Sequence, residues 1–165
     1  RKFWSIDCMQ KFIKQIRKIS EKIYDEIGGI DEDSIQVALS VEFDKCKINY
    51  LRETNIQLFY ESHPLRLFEL DFLIYPSPSW DLKESIIVEI KLQSKLNDEH
   101  RQQLKNYLKS APLNSLKEVK KISKGLLINF KKLEKYKDGT NEPPDDKIEI
   151  EIWEFKNKQF KQINT

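Results

Sequence analysis

Between Ser85 and Phe130 the sequence sets down an order that few folds can satisfy: "SIIVEIKL", then "DEHRQQLKNYLKS", then "GLLINF". The outer two are short apolar runs of the kind that fill buried strands. The middle one, residues 98–110, sets Leu104, Tyr107 and Leu108 at helical spacing behind an acidic start. Strand, helix, strand requires a parallel crossover. The first strand also holds a puzzle. Residues two apart share a strand face, so Ile87, Glu89 and Lys91 lie on one side and Val88, Ile90 and Leu92 on the other. An acid and a base on a half-buried face cost free energy unless they are paired or bind something.

The flanking segments supply antiparallel partners. Residues 9–27 carry Phe12, Ile13, Ile16, Ile19, Ile23 and Ile27 in steps of three and four, an amphipathic helix stopped by Gly28-Gly29. A second helix is expected over Asp31–Phe43, with Ile35, Ala38, Leu39 and Val41 toward the core and acids in its first turn. "INYLRETNIQLFYES" reads as one or two strands broken near Glu53–Asn55, and "LRLFELDFLIYP" as a strand ended by Pro76. "PSPSWDLKE" is turn-rich, residues 131–146 form a polar loop, and "KIEIEIWEF" alternates as a one-sided strand does. That strand is expected to pair with "QFKQI" across Lys156–Lys158. The fold class is therefore α/β (mixed α+β), a central mixed sheet flanked by helices.

No repeat or boundary divides the chain, so residues 1–165 are expected to form one domain, with a core over about 28–130 and a C-terminal hairpin over 147–163. With 39% hydrophobic and 34% charged residues and a net charge of +2, the chain is globular, and a nucleic-acid partner would need a local basic patch. Cys8 and Cys46 are too few for a disulfide framework or a zinc site and suit a reducing compartment. No signal peptide is read, and no apolar run approaches the roughly 18 residues of a membrane span. The expected location is cytoplasmic, with no membrane partner. The first residue, Arg1, suits a trimmed chain.

If Leu67–Tyr75 and Ser85–Leu92 form a hairpin, its centre falls at Trp80, equidistant from Asp71 and Glu89. The two carboxylates then face each other with Cβ atoms about 5 Å apart. Unpaired, one would have to hold a proton. A divalent cation removes the conflict, since two or three carboxylates suit Mg2+ or Mn2+. Lys91 would lie beside it, where an ammonium could orient water, give up a proton or neutralise phosphate charge. On the following helix Gln103 and Tyr107 share a face and could position a phosphate or support the ligands. Decoys exist: Glu118-Val119-Lys120 lies in a linker and Asp81-Leu82-Lys83 in a turn. Pro144-Asp145 with Glu154-Phe155-Lys156 is a more literal copy, but its acids stand about 30 Å apart on one extended run.

Together these segments resemble the PD-(D/E)xK nuclease superfamily, and within it the GxxExxY group, over roughly Gly28 to Phe130. The motifs are "GIDEDSIQVALSVEF", "FELDFLI", "IIVEIK", "HRQQLKNYL" and "GLLINF". The resemblance implies a restriction-endonuclease-like sheet and Asp71 and Glu89 as metal ligands. It makes Lys91 the catalytic lysine, Gln103 and Tyr107 its supporting pair, and Glu32 an additional acid at the metal. The group's name expects a tyrosine where this chain has Ile35. The implied activity is Mg2+- or Mn2+-dependent hydrolysis of nucleic acid, with DNA favoured over RNA. Alternatives are a catalytically silent nuclease-like module that binds nucleic acid or a protein, and a homodimer built on the "KIEIEIWEF" edge. Blander readings cover the rest: His63 and His100 as surface residues, with His100 placed to touch substrate, and Lys117–Lys124 as a solvated run or a phosphate contact. Trp4, Trp80 and Trp153 read as packing residues, with Trp80 also placed to stack on a base.

Overall fold

The computed structural model describes residues 4–132 and 146–164. Asp145, most of the loop expected over 131–146 and the side chains of Trp4 and Cys8 lie outside them. Two helices come first, α1 (Trp4–Ile27) and α2 (Glu32–Lys45), then strands β1 (Tyr50–Tyr60), β2 (His63–Ile74) and β3 (Ile86–Lys91). After the crossover helix α3 (Asp98–Ser110) and the short α4 (Lys117–Lys120) come β4 (Lys124–Phe130), β5 (Ile148–Lys156) and β6 (Gln159–Ile163). The six strands form one sheet in chain order, antiparallel at every pair except β3–β4. The crossover expected after Glu89 is therefore present, and the sheet is mixed with helices on both faces.

One layer of core lies under α1 and α2, where Phe12, Ile16, Ile35, Leu39 and Phe43 meet Phe72, Val88, Ile90, Ile128 and Ile152. The other lies under α3 and α4, where Leu104, Tyr107, Leu108 and Val119 meet Leu73, Ile87 and Leu127. β3 and β4 are apolar on both sides because helices cover both, as parallel strands require. Gly28 ends α1 with φ +64 while its N–H reaches the Tyr24 carbonyl at 2.8 Å. This left-handed turn suits glycine and turns the chain into α2 within a few residues. Asp31 caps α2, its carboxylate accepting from the Ser34 N–H at 2.7 Å. Among the described residues no helix is long and apolar enough to cross a membrane.

Four expectations change. Val41, expected in the core, is 47% exposed, because Ile35, Leu39 and Phe43 already fill the inner face of α2. β1 is unbroken: Glu53 adopts φ 57, and pairing resumes in the same register, Arg52 with Phe72 and Thr54 with Leu70. β5 is covered on both faces, since Trp153 and Phe155 pack on the α3 side opposite Ile148 and Ile152. It also pairs with β4 and β6, so it offers no free edge for a homodimer. The lysine run contains a helical turn, α4, that buries Val119, and Ile122 is buried just beyond it.

Candidate active site

The β2–β3 ladder runs through Ile74–Ile86, Leu73–Ile87 and Phe72–Val88 and stops there. At the next position side chains take over from the backbone. The Asp71 N–H donates to Glu89 Oε1 at 3.1 Å, and the Ile90 N–H donates to Asp71 Oδ2 at 2.7 Å. Each carboxylate thus stands in for a ladder carbonyl as the strands part, and a two-pronged acidic fork results. Glu89 is 3% exposed. Its burial, and then the facing Asp71 charge, hold the Glu89 carboxyl well above the ordinary range. Burial also raises Asp71, against the pull of the Ile90 N–H. Both shifts favour the protonated carboxyls, most strongly at Glu89.

Lys91 projects from the same strand, and its Nζ donates to Gln103 Oε1 on α3 at 2.8 Å. Tyr107, one turn further along α3, is 1% exposed. Burial, then the charges of Glu89 and Asp71, push its phenol up, so it stays neutral and acts only by hydrogen bonding. The orientation of α3 is itself fixed. Its start is a capping box in which the Asn97 side chain accepts from the His100 N–H (3.1 Å) and the Asn97 N–H donates to His100 Nδ1 (3.2 Å). That bond needs an unprotonated Nδ1, and burial followed by the nearby Lys91 charge lowers the His100 pKa accordingly. Arg101 then ties α3 to β5 with two bonds of 2.8 Å to Glu151.

Sequence reasoning placed Asp71, Glu89, Lys91, Gln103 and Tyr107, and the structure brings these five side chains together. Glu32 is not with them. It lies exposed in the first turn of α2, and among the described residues no three His, Cys, Asp or Glu side chains converge as a metal group would. What α2 sends toward the fork is Gln36, one turn later and 6% exposed, which pulls the Asp71 pKa down against burial and accepts from Arg52 at 3.3 Å. Asn129 was missed as well. Fully buried beside Lys91, it bonds the Gln93 N–H at 2.8 Å and the Gln93 carbonyl at 3.0 Å, carrying the chain on past Lys91. Nothing in the apolar run "GLLINF" marks its partner.

The decoys fall into structural roles. Glu154 pairs with Lys124 at 3.4 Å. Trp80 gives its indole N–H to the Cys46 carbonyl at 3.2 Å, and the Lys11 ammonium lies 5.2 Å from its ring, so it packs the loop rather than awaiting a base. The fork itself suits a hard divalent cation: two desolvated carboxylates face each other, each with one oxygen held by the backbone and one left over.

A mixed sheet that splays at a buried acidic fork, with a lysine one strand step beyond, defines a restriction-endonuclease-like domain. The family model described as the PD-(D/E)XK nuclease superfamily matches residues 10–141, and the chain belongs to that superfamily. Comparison with curated proteins and with solved structures finds no match.

Proposed function

We propose that this protein is a divalent-metal-dependent nuclease of the GxxExxY group that hydrolyses phosphodiester bonds in DNA. The observation that carries the reading is the fork: two buried carboxyls pinned by each other's strand, with Lys91 alongside. Asp71 and Glu89 would hold the ion, Mg2+ or Mn2+, which when bound supplies Lewis acidity and charge neutralisation at the scissile phosphate. Lys91, steadied by Gln103, presents an ammonium to the phosphate oxygens and the attacking water. Tyr107 beside Gln103 and Gln36 beside Asp71 would support these positions. Glu32 stands outside this set.

Calorimetry with Mn2+ on wild type and Asp71→Ala, paired with cleavage of plasmid and single-stranded DNA and of RNA in Mg2+, tests the reading. Ion binding and DNA cleavage are expected in the wild type, and neither in Asp71→Ala. Equal cleavage by both proteins would refute the assigned site. A wild type that binds nucleic acid but neither metal nor hydrolysis would point to the silent module instead.

A further inference from the structure

Between α3 and strands β1 and β2 lies a recess of about 270 Å³, lined on the sheet by Leu58 and Phe68 and on α3 by Glu99, Gln102, Gln103, Asn106 and Tyr107. Two of its walls are Gln103, which accepts from Lys91, and Tyr107, one turn further along α3. The recess therefore shares Gln103 with the Lys91 side of the candidate site. Its floor is apolar and aromatic, with Phe68 and Tyr107 centroids 6.1 Å apart and tilted by 58°. The Arg66 guanidinium lies 4.0 Å over the Phe68 ring and covers one of its faces, a flat group at stacking distance whose place a base would take as Arg66 turns to the backbone. Along the rim, Gln102 Nε2 donates to Asn106 Oδ1 at 2.9 Å, which turns the Gln102 carbonyl and the Asn106 amide hydrogens toward other partners.

We propose that this recess seats one unstacked nucleobase next to the scissile phosphate, a proposal that rests on the nuclease reading and names the single-stranded or locally unpaired form as its substrate. The charges choose the occupant. The only carboxylate in the lining is Glu99, with no Lys, Arg or His beside it there, and a carboxylate repels a phosphate. It accepts, however, from the exocyclic amine of cytosine, adenine or guanine. Every base has a π-face for Phe68, and the amide rim matches the mixed donors and acceptors of a base edge. The backbone phosphate then falls toward Lys91, and Arg66, which has no ion pair among the described residues, is placed to meet the neighbouring phosphate.

Binding tests this without relying on cleavage. Fluorescence anisotropy, in Ca2+ buffer at pH 7.5, compares a ten-nucleotide oligodeoxycytidine with a ten-unit abasic deoxyribose-phosphate chain of equal charge. The wild type is expected to bind the base-bearing strand about five- to a hundredfold more tightly, the worth of one stacked base. Phe68→Ala should remove most of that ratio while leaving the weak affinity for the abasic chain unchanged. Phe68→Tyr, which keeps a ring, should retain it and reports on folding. Equal affinity for the two strands in the wild type, an unchanged ratio in Phe68→Ala, or no binding of either strand each overturns the proposal. The nuclease reading fails separately, if Lys91→Ala leaves cleavage unchanged. A protein that cleaves DNA yet ignores the missing bases keeps the first reading and loses the second.

Discussion

At the scale of single residues, the site turns on how a carboxylate can be kept in a strand core. Glu89 is held at 3% exposure with the Asp71 N–H on one oxygen, and its burial favours the protonated carboxyl. Its folded-state pKa is raised, so its proton contributes stability fully present below the unfolded value, about 4.3, and lost as pH rises through the folded value. In EDTA, urea unfolding should therefore give a lower stability at pH 8 than at pH 5, and Glu89→Gln should abolish most of that difference. The amide keeps the shape and bonds to Asp71 without the charge, and is expected to raise metal-free stability at pH 8 by about 1–3 kcal/mol while cleavage disappears. A Glu89→Gln protein with the wild-type pH slope would mean that the burial is relieved elsewhere. Lys91→Ala is expected to lower kcat by about 10²–10³, the loss seen when one preorganised charge is removed from a transition state. Gln103→Ala, which only frees the ammonium, should cost roughly tenfold. If both variants lose equally, Gln103 does more than steady Lys91.

At the scale of elements, α3 must approach the sheet closely enough to put Gln103 beside Lys91, and Gly125 permits it. A Cβ at that position would lie 2.5 Å from Leu104 Cδ1 and 3.2 Å from Leu104 Cδ2, in a fully buried contact. Gly125→Ala should overpack this seam at about 1–3 kcal/mol and lower kcat further by lifting the Gln103 face off Lys91. Unchanged kcat with lowered stability would separate the two effects. The crossover that α3 makes was legible from period alone, because strand and helix spacings cannot be exchanged. The facing of Asp71 and Glu89 followed from loop symmetry: the observed pairs Leu73–Ile87 and Ile74–Ile86 centre the hairpin on Trp80. Gln36 and Asn129 could not be read the same way. Each is one polar residue whose partners arrive from a distant segment, and local pattern holds no trace of that meeting. β5 misled for a related reason. Glu149 and Glu151 look like a solvent face, yet Asn129 donates a hydrogen bond to the first and Arg101 pairs with the second.

At the scale of the whole molecule, the fork makes the fold and the ion parts of one equilibrium. A fork that holds a proton to relieve repulsion must release it when a cation takes its place, so ion binding and pH are linked. An ion that binds only the folded chain stabilises it by about 2.7 kcal/mol at a hundred times its Kd. For a chain of this size that is a rise in Tm of about 5–10 °C. The rise should be largest near pH 8, where the metal-free fork is most strained, and should shrink toward pH 5.5, as protonation of the raised Glu89 carboxyl increasingly competes with the ion. Differential scanning fluorimetry with and without Mn2+ across that range reads both effects at once. Asp71→Ala should lie flat at every pH, since one fork carboxylate is gone and Glu89 no longer faces a second charge. A pH-independent Tm shift, or the same shift in Asp71→Ala, would place the ion somewhere other than between these two strands.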